Sequence, residues 1–265
     1  MRAGGLGVGG LLLLLLLSWA TGVDFLSLAG GGAVPSESVG PGSTSAPATS
    51  PEEARLIDMV DNVVEDAQNT WRKLLGSRYE ETRVRLFRDA VSTEGCGFAQ
   101  AASGPFYCPG DRRVYLDLGF FDELHRRFRA PGDFAQAYVL AHEVGHHVQT
   151  VTGLEADVRR RQAASPSQRN ALSVRMELQA DCFAGVWGYH AAQSGRAAAG
   201  GVELDEGDID EGLNAAAAIG DDRIQRQTAG RVSPESFTHG TSAERVSWFR
   251  RGFQTGDPKA CDTFQ

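Results

Sequence analysis

The stretch "AHEVGHHVQT" at residues 141–150 brings three histidines and a glutamate together in an otherwise apolar run. On a helix with about 100° per residue, His142 and His146 stack on one face and Glu143 lies beside them. Two imidazoles placed this way can bind one zinc ion, and the glutamate can take a proton from a water at the metal. His147 falls next to the apolar stripe, and we interpret it as structural. The pattern predicts a hydrolytic zinc site; the alternative is a set of ordinary polar groups on a buried helix.

A hydrolytic zinc site needs three protein ligands and an open position for water. The helix carries no third histidine at the spacing of the longer HExxHxxGxxH motif, which argues against that class. Downstream, "SVRMELQADCFAG" is a second helical run with Glu177 and Asp181 four residues apart on one face. Glu177 would complete a site with two histidines and one glutamate for one Zn²⁺ per chain. Asp181 would accept a hydrogen bond from the far nitrogen of a zinc-bound histidine. An ordinary solvated pair of acids is the alternative.

Two further residues are candidates for the same site. His239 precedes a predicted helix whose N-cap is Thr241 or Ser242, with Glu244 in the first turn. We predict that His239 donates a hydrogen bond to the oxyanion of a tetrahedral intermediate, a contribution of about 3 kcal/mol. A structural turn histidine is the alternative. Arg245 is predicted to pair with a carboxylate near the site, or else to form an exposed ion pair.

The elements that position these groups are those of a mainly helical α+β domain with a small sheet near its start. Alternating polarity predicts strands at residues 83–88 and 113–118, and the second could form the sheet edge along the cleft. Gly145 interrupts the histidine helix at a cost of about 1 kcal/mol, which predicts the close approach of a neighbouring helix or of substrate. Helical spacing predicts helices near 51–75, 120–129, 133–151, 167–193, 206–228 and 241–255.

The N-terminal part, residues 1–51, differs in composition from the rest of the chain. Residues 6–23 are apolar and uncharged, close to the ~18-residue lower limit for a membrane-spanning helix. Arg2 precedes them and the next basic residue is Arg55, which predicts that the remainder lies outside the cytoplasm. We therefore predict a signal-anchor or transmembrane segment at 1–28 and a single-pass membrane protein with an extracytoplasmic catalytic domain; secretion after signal cleavage is the alternative. Residues 29–51, rich in Gly, Ser and Pro, predict a flexible linker before a zinc-dependent domain at 52–265.

Composition and cysteines narrow the class of protein. The chain has 265 residues and a net charge of −8, without the basic face of a nucleic-acid-binding protein, so no nucleic-acid partner is expected. Four cysteines in an exported chain predict two disulfides. Cys96 and Cys108 bracket a short loop and are the natural local pair, which leaves Cys182 with Cys261. Two other pairings stay open.

Several motifs together resemble one known family over nearly the whole chain. They are "GPFYCP", "VYLDLGFF", "AHEVGHHVQ", "ELQADCFAG", "GDDRIQ", "ESFTHGTSAERVSWFRRG" and "CDTF". In combination they are similar to the bacterial putative neutral zinc metallopeptidases, which are gluzincin-like. The resemblance implies a zincin-like metallopeptidase domain, with His142, His146 and Glu177 as zinc ligands and Glu143 as catalytic acid and base.

The expected function is hydrolysis of peptide bonds in a protein or peptide substrate outside the cytoplasm. Two alternatives stay open: an inactive zinc-binding scaffold of the envelope, and a zinc amidase acting on cell-wall peptides. The intact Glu143 favours the two enzymes over the scaffold, because an inactive relative would often have lost that residue.

Overall fold

Helices dominate the computed structural model, which describes residues 50–100, 104–120, 133–193, 202, 204 and 207–265. The segment at 1–28, nearly all of the linker at 29–51, and all but the first residue of the helix predicted at 120–129 lie outside the described residues. The helices are α1 (Pro51–Leu75), α2 (Asp133–Val151), α3 (Leu154–Ala164), α4 (Arg169–Ala191), α5 (Asp208–Ala218), α6 (Asp221–Ala229) and α7 (Ser242–Thr255). The fold is therefore mainly helical, as the α+β prediction expects.

The helix ends follow local chemistry. Ser50 caps α1 by accepting a hydrogen bond from the Glu53 N–H at 3.1 Å. Thr241 caps α7 in a capping box with Glu244.

The single helix predicted at 206–228 is two helices, α5 and α6, because the helical conformation is interrupted at Gly220. A Cβ on Gly220 would lie only 2.4 Å from the Ser242 nitrogen, so the start of α7 packs against this break. Helix α3 is absent from the predicted set.

The described residues between α1 and α2 contain five strands: β1 (Arg83–Phe87), β2 (Ala90–Ser92), β3 (Phe98–Gln100), β4 (Phe106–Cys108) and β5 (Arg113–Asp117). Strands β2 and β3 form a hairpin, and the other three form a sheet in the order β1-β5-β4. In that sheet β1 is parallel to β5, and β4 is antiparallel to β5 with Tyr107 opposite Val114. The prediction that 113–118 forms the sheet edge is wrong, since β5 is central. Among the described strands, β1 and β4 are the two edges of this sheet.

The core joins the sheet to a helical layer. Its largest buried side chains include Trp71 of α1, Leu140 of α2, Trp187 of α4 and Phe249 of α7. Helix α4 packs most extensively on α7.

Glycines make the α4–α7 contact possible. A Cβ on Gly185 of α4 would lie 2.0 Å from the Phe249 carbonyl oxygen, and one on Gly252 of α7 would lie 1.9 Å from the Cys182 carbonyl oxygen. Neither position has space for a side chain, so the two helix backbones are in direct contact here.

Two disulfides cross-link the described chain. Cys96 is bonded to Cys108 in β4, and Cys182 of α4 is bonded to Cys261 in the turn that follows α7. The first bond closes a short loop beside the sheet. The second ties the segment after α7 back onto α4, across a sequence separation of 79 residues.

The assignment of a single-pass transmembrane protein is corrected. No helix among the described residues is long and apolar enough to cross a membrane. Residues 6–23, on which the prediction rested, lie outside the described residues.

Candidate metal centre

Three side chains of types that commonly bind metals converge between α2 and α4. His142 and His146 project from α2, and Glu177 projects from α4 toward both imidazoles. The His142 Nε2 atom lies 3.2 Å from Glu177 Oε2, and the His146 Nε2 atom lies 3.4 Å from Glu177 Oε1. All three ligand atoms lie within 4.8 Å of one another. Because two imidazole nitrogens and one carboxylate oxygen suit zinc, these residues can hold a single ion.

Gly145 explains how the two helices come close enough to share a metal. A Cβ at this position would lie 3.1 Å from the Ala180 carbonyl oxygen and 3.2 Å from the Ala180 Cα. Glycine therefore allows the backbone of α4 to approach α2 within one helical turn of the histidines. The close approach of a neighbouring helix, which the sequence predicts at Gly145, is confirmed.

A buried ion pair orients His142. Its Nδ1 atom lies 2.9 Å from Asp181 Oδ1, and the Arg245 Nε and Nη2 groups donate to the same carboxylate at 2.8 and 2.9 Å. The Tyr138 hydroxyl also donates to Asp181. Since the carboxylate accepts from Nδ1–H, Nε2 is the ring nitrogen of His142 that faces Glu177. Arg245 is only 2% exposed, so its ion pair is buried rather than on the surface.

Burial and neighbouring charges shift the pKa values of Glu143, Glu177 and His142. Burial raises the pKa of Glu143, although the nearby imidazoles of His146 and His142 partly oppose this. Burial also acts on Glu177, yet the same two imidazoles outweigh it and hold its pKa well below the usual value. For His142, burial opposes the charged form, but the Asp181 carboxylate outweighs it and raises the pKa to about 10. In the metal-free protein His142 therefore holds a second ring proton that an incoming cation must displace, whereas Glu177 is already ionised.

A cleft of about 500 Å³ opens over these residues. Strand β4 contributes one wall through Phe106 and Tyr107, and the nearby Tyr107 backbone acts to lower the pKa of Glu143, against the effect of burial. Ile219 and Ile224 contribute apolar surface at the other side. The cleft is therefore bounded by an edge strand and contains a buried carboxylate next to the three candidate ligands.

His239 lines the same cleft on an exposed loop. Its Nδ1 atom lies 3.2 Å from Asp221 Oδ1, while the backbone N–H groups of Thr238, His239 and Gly240 donate to Asp221 Oδ2 at 2.7, 2.7 and 3.1 Å. Asp221 thus holds both the loop and the imidazole. Sequence reasoning missed Asp221, although it starts the "DDRIQ" run immediately after Gly220.

His147 is fully buried and does not face the cleft. Its Nδ1 atom lies 3.0 Å from the Tyr107 hydroxyl, and its Nε2 atom lies 2.6 Å from the Glu80 carbonyl oxygen. The prediction that His147 is structural is confirmed, since it links α2 to β4.

A second residue that sequence reasoning missed is Gln149, whose Oε1 atom lies 2.9 Å from His146 Nδ1. Its position three residues after His146 on a helix was the available signal.

Comparison with known proteins agrees with this geometry. The model of the family described as "Putative neutral zinc metallopeptidase" matches residues 1–264, and the chain belongs to that family. The "Uncharacterized protein YpfJ" of Escherichia coli (strain K12) is 47% identical over 264 residues, covering 97% of this chain and 87% of the relative. Uncharacterized proteins of Mycobacterium bovis and Mycobacterium tuberculosis are each 48% identical over 198 residues, covering 73% of this chain and 66% of the relative. No solved structure matches the chain.

Proposed function

We propose that the protein is a zinc-dependent peptidase with a zincin-like fold. The observation that carries the proposal is a buried carboxylate, Glu143, next to two imidazoles and a second carboxylate that can share one metal ion, all in one cleft. Membership of a family named for zinc metallopeptidases supports the same activity.

The proposed ligands are His142, His146 and Glu177, holding one Zn²⁺ per chain. The donor set fits the ion, because both Nε2 atoms face Glu177 and the three donors leave one side open to the cleft. When bound, zinc supplies Lewis acidity to water and to the scissile carbonyl.

Glu143 is the proposed general base and then general acid. A carboxyl with a raised pKa is well suited to accept a proton from the attacking water and to deliver it to the leaving amine. The Tyr107 backbone near Glu143 belongs to edge strand β4. An extended peptide added to that edge would therefore run past the proton-transfer group.

His239 is the proposed donor to the oxyanion. Its ring lies in the cleft and Asp221 fixes its orientation through the Nδ1 side, which leaves Nε2 available to substrate. Asp181 and Arg245 are proposed to orient His142 rather than to touch substrate, because both are buried behind it.

Action in an oxidising compartment is proposed as well. Two disulfides in one chain are typical of exported proteins, since thiols in the cytoplasm are kept reduced.

The test is cleavage of an unfolded, fluorescently labelled protein by the full chain with zinc supplied. Glu143→Gln should retain zinc, measured by elemental mass spectrometry, but lose activity by about 10²–10⁴-fold. Glu177→Ala should lose zinc and activity together. The matched control is Glu65→Gln, a change at an exposed position of α1 that contacts Asn69, which should behave as wild type.

Each other outcome points to a different function. Full turnover by Glu143→Gln would refute the role of this residue. Zinc binding without cleavage of any peptide by the wild type would favour a scaffold. Cleavage confined to amide bonds of cell-wall peptides would favour an amidase.

A further inference from the structure

A chain of buried amide groups lies behind His146. The Gln149 Oε1 atom is 2.9 Å from His146 Nδ1, and the Gln149 Nε2 group donates to the Met176 carbonyl oxygen at 2.8 Å and to Gln179 Oε1 at 3.1 Å. Gln149 is fully buried and Gln179 is nearly so. Hence Gln149 bridges α2 to α4 at the level of the adjacent ligand, Glu177.

The direction of these hydrogen bonds is fixed by chemistry. A backbone carbonyl can only accept, so the NH₂ end of Gln149 must face Met176 and its oxygen must face His146. The His146 Nδ1 atom therefore carries a hydrogen, and Nε2 is the ring nitrogen directed at Glu177. Gln149 selects the tautomer of His146 that can bind a metal through Nε2.

The chain continues into the segment after α7. The Gln179 Nε2 group donates to the Cys261 carbonyl oxygen at 2.9 Å, which turns the Gln179 oxygen toward Gln149. Cys261 is held in place by its disulfide to Cys182. Thr263 adds a second anchor by donating to the Arg175 carbonyl oxygen at 2.7 Å. This C-terminal segment, residues 257–263, is therefore fixed against α4 on both sides of Met176 and Gln179.

The two histidines are held by different means. His142 is oriented by a carboxylate that pairs with Arg245, whereas His146 is oriented by neutral amides that end at a backbone carbonyl. Removing one amide leaves no buried charge, so its effect on the metal can be measured separately from its effect on folding.

We propose that Gln149 and Gln179 are positioning residues for the metal centre, and that the C-terminal segment completes the centre by supplying the Cys261 carbonyl. The inference rests on the proposed zinc site. Gln149 lies in the wall of the cleft but is fully buried, and both glutamines act through His146. Their shared effect is to keep Nδ1 as the hydrogen-bond donor, so that Nε2 is the nitrogen presented to the ion.

The first test measures zinc affinity of the full chain by competition with a chelating dye, using zinc alone as the probe. Gln149→Met keeps the side-chain volume but removes the acceptor, and should weaken zinc binding by about 10–100-fold. Gln179→Met should weaken it by less, because the Met176 carbonyl still orients Gln149. The matched control is Gln68→Met, a buried glutamine of α1 that accepts from the Thr82 N–H at 2.8 Å, and its zinc affinity should equal that of wild type.

The second test begins with the wild type, so its first result does not depend on the folding of a variant. Nitrogen NMR of the zinc-loaded wild type should show His146 with a proton on Nδ1 and the metal on Nε2. That Nδ1 proton should exchange slowly with water. In Gln149→Met the exchange at His146 should accelerate while that at His142 stays slow, a selectivity that general loosening of the fold would not give.

The outcomes distinguish failure of this inference from failure of the proposed function. Zinc bound through Nδ1 of His146, or equal affinity in Gln149→Met and wild type, would overturn the inference while leaving the proposed function intact. Equal affinity in Gln179→Met and the Gln68→Met control would overturn the role of Gln179 and of the C-terminal segment. If the wild type itself binds no zinc, or Glu177→Ala leaves zinc affinity unchanged, the proposed function fails first.

Discussion

Asp181→Asn is the change whose consequence the structure defines most sharply. Asp181 is fully buried and accepts hydrogen bonds from Tyr138, His142 and two nitrogens of Arg245. Asparagine has nearly the same shape but carries no charge, and one of its two acceptor atoms becomes a donor. If its oxygen remains toward His142, its NH₂ group faces the Arg245 Nε–H, so two donors oppose each other at the former position of Oδ2.

The size of the expected loss in stability follows from the Arg245 charge that stays buried without its partner. Arg245 is 2% exposed, and loss of one partner of a buried ion pair typically costs about 3–5 kcal/mol because the other charge stays buried and uncompensated. We therefore expect the metal-free protein to lose about 3–5 kcal/mol in its free energy of unfolding. For a domain of this size, that corresponds to a fall in Tm of about 6–20 °C.

The assay is urea unfolding in the presence of a chelator, with Asp181→Asn, Arg245→Met and the double variant compared with wild type. The double variant should be more stable than the sum of the two single losses predicts. The reason is that Arg245→Met removes the buried charge that Asp181→Asn leaves without a partner. A loss under about 1 kcal/mol in Asp181→Asn, or additive losses in the cycle, would refute a buried, energetically coupled pair.

Three further changes have defined outcomes. Gly145→Ala should push α4 away from α2 at Ala180 and weaken zinc binding in competition titrations, and unchanged affinity would show that the close approach does not set the ligand geometry. Gly252→Ala places a Cβ against the backbone of α4 and should cost about 3 kcal/mol or more in urea unfolding; wild-type stability would contradict the contact. Partial burial opposes ionisation of Asp221, but hydrogen bonds from His239 and the neighbouring backbone outweigh it and lower the pKa of the carboxyl. Its stabilisation is therefore present above pH ~4 and is lost as the pH falls through the lowered pKa. Asp221→Asn should accordingly unfold with a shallower dependence on acid pH, and an unchanged slope would refute this contribution.

Local patterns predicted the parts of the protein that depend on neighbours in sequence. The spacing of His142, Glu143 and His146 gives their common helix face directly, and the structure has α2 at Asp133–Val151 where helical spacing predicts 133–151. The capping box at Thr241 and the end of α1 before Gly76 are also short-range features. Such features need only backbone geometry and side-chain type, both of which a sequence contains.

Long-range neighbours could not be predicted in the same way. Alternation identifies β5 as a strand but does not say which strands flank it, so its central position was missed. Gln149 meets Gln179 across 30 residues, and Gln179 meets the Cys261 carbonyl across 82 residues. A glutamine in a helix carries no periodic signal for such a contact. The acids after Gly220 looked like ordinary helix-start residues, and only the fold brings Asp221 to His239.

The glycine contact between α4 and α7 has a mechanical consequence for the cleft. Backbones in direct contact at Gly185 and Gly252, joined again by the Cys182–Cys261 bond, cannot slide or separate without breaking covalent or close-packed structure. The wall of the cleft that carries Glu177 is therefore rigid. Strand β4, in the opposite wall, is held by one neighbouring strand, by Tyr107 against His147 and by the Cys96–Cys108 bond to a short loop, but, among the described residues, by no contact between helix backbones. Of the two walls, we therefore expect β4 to move if the cleft widens around a ligand.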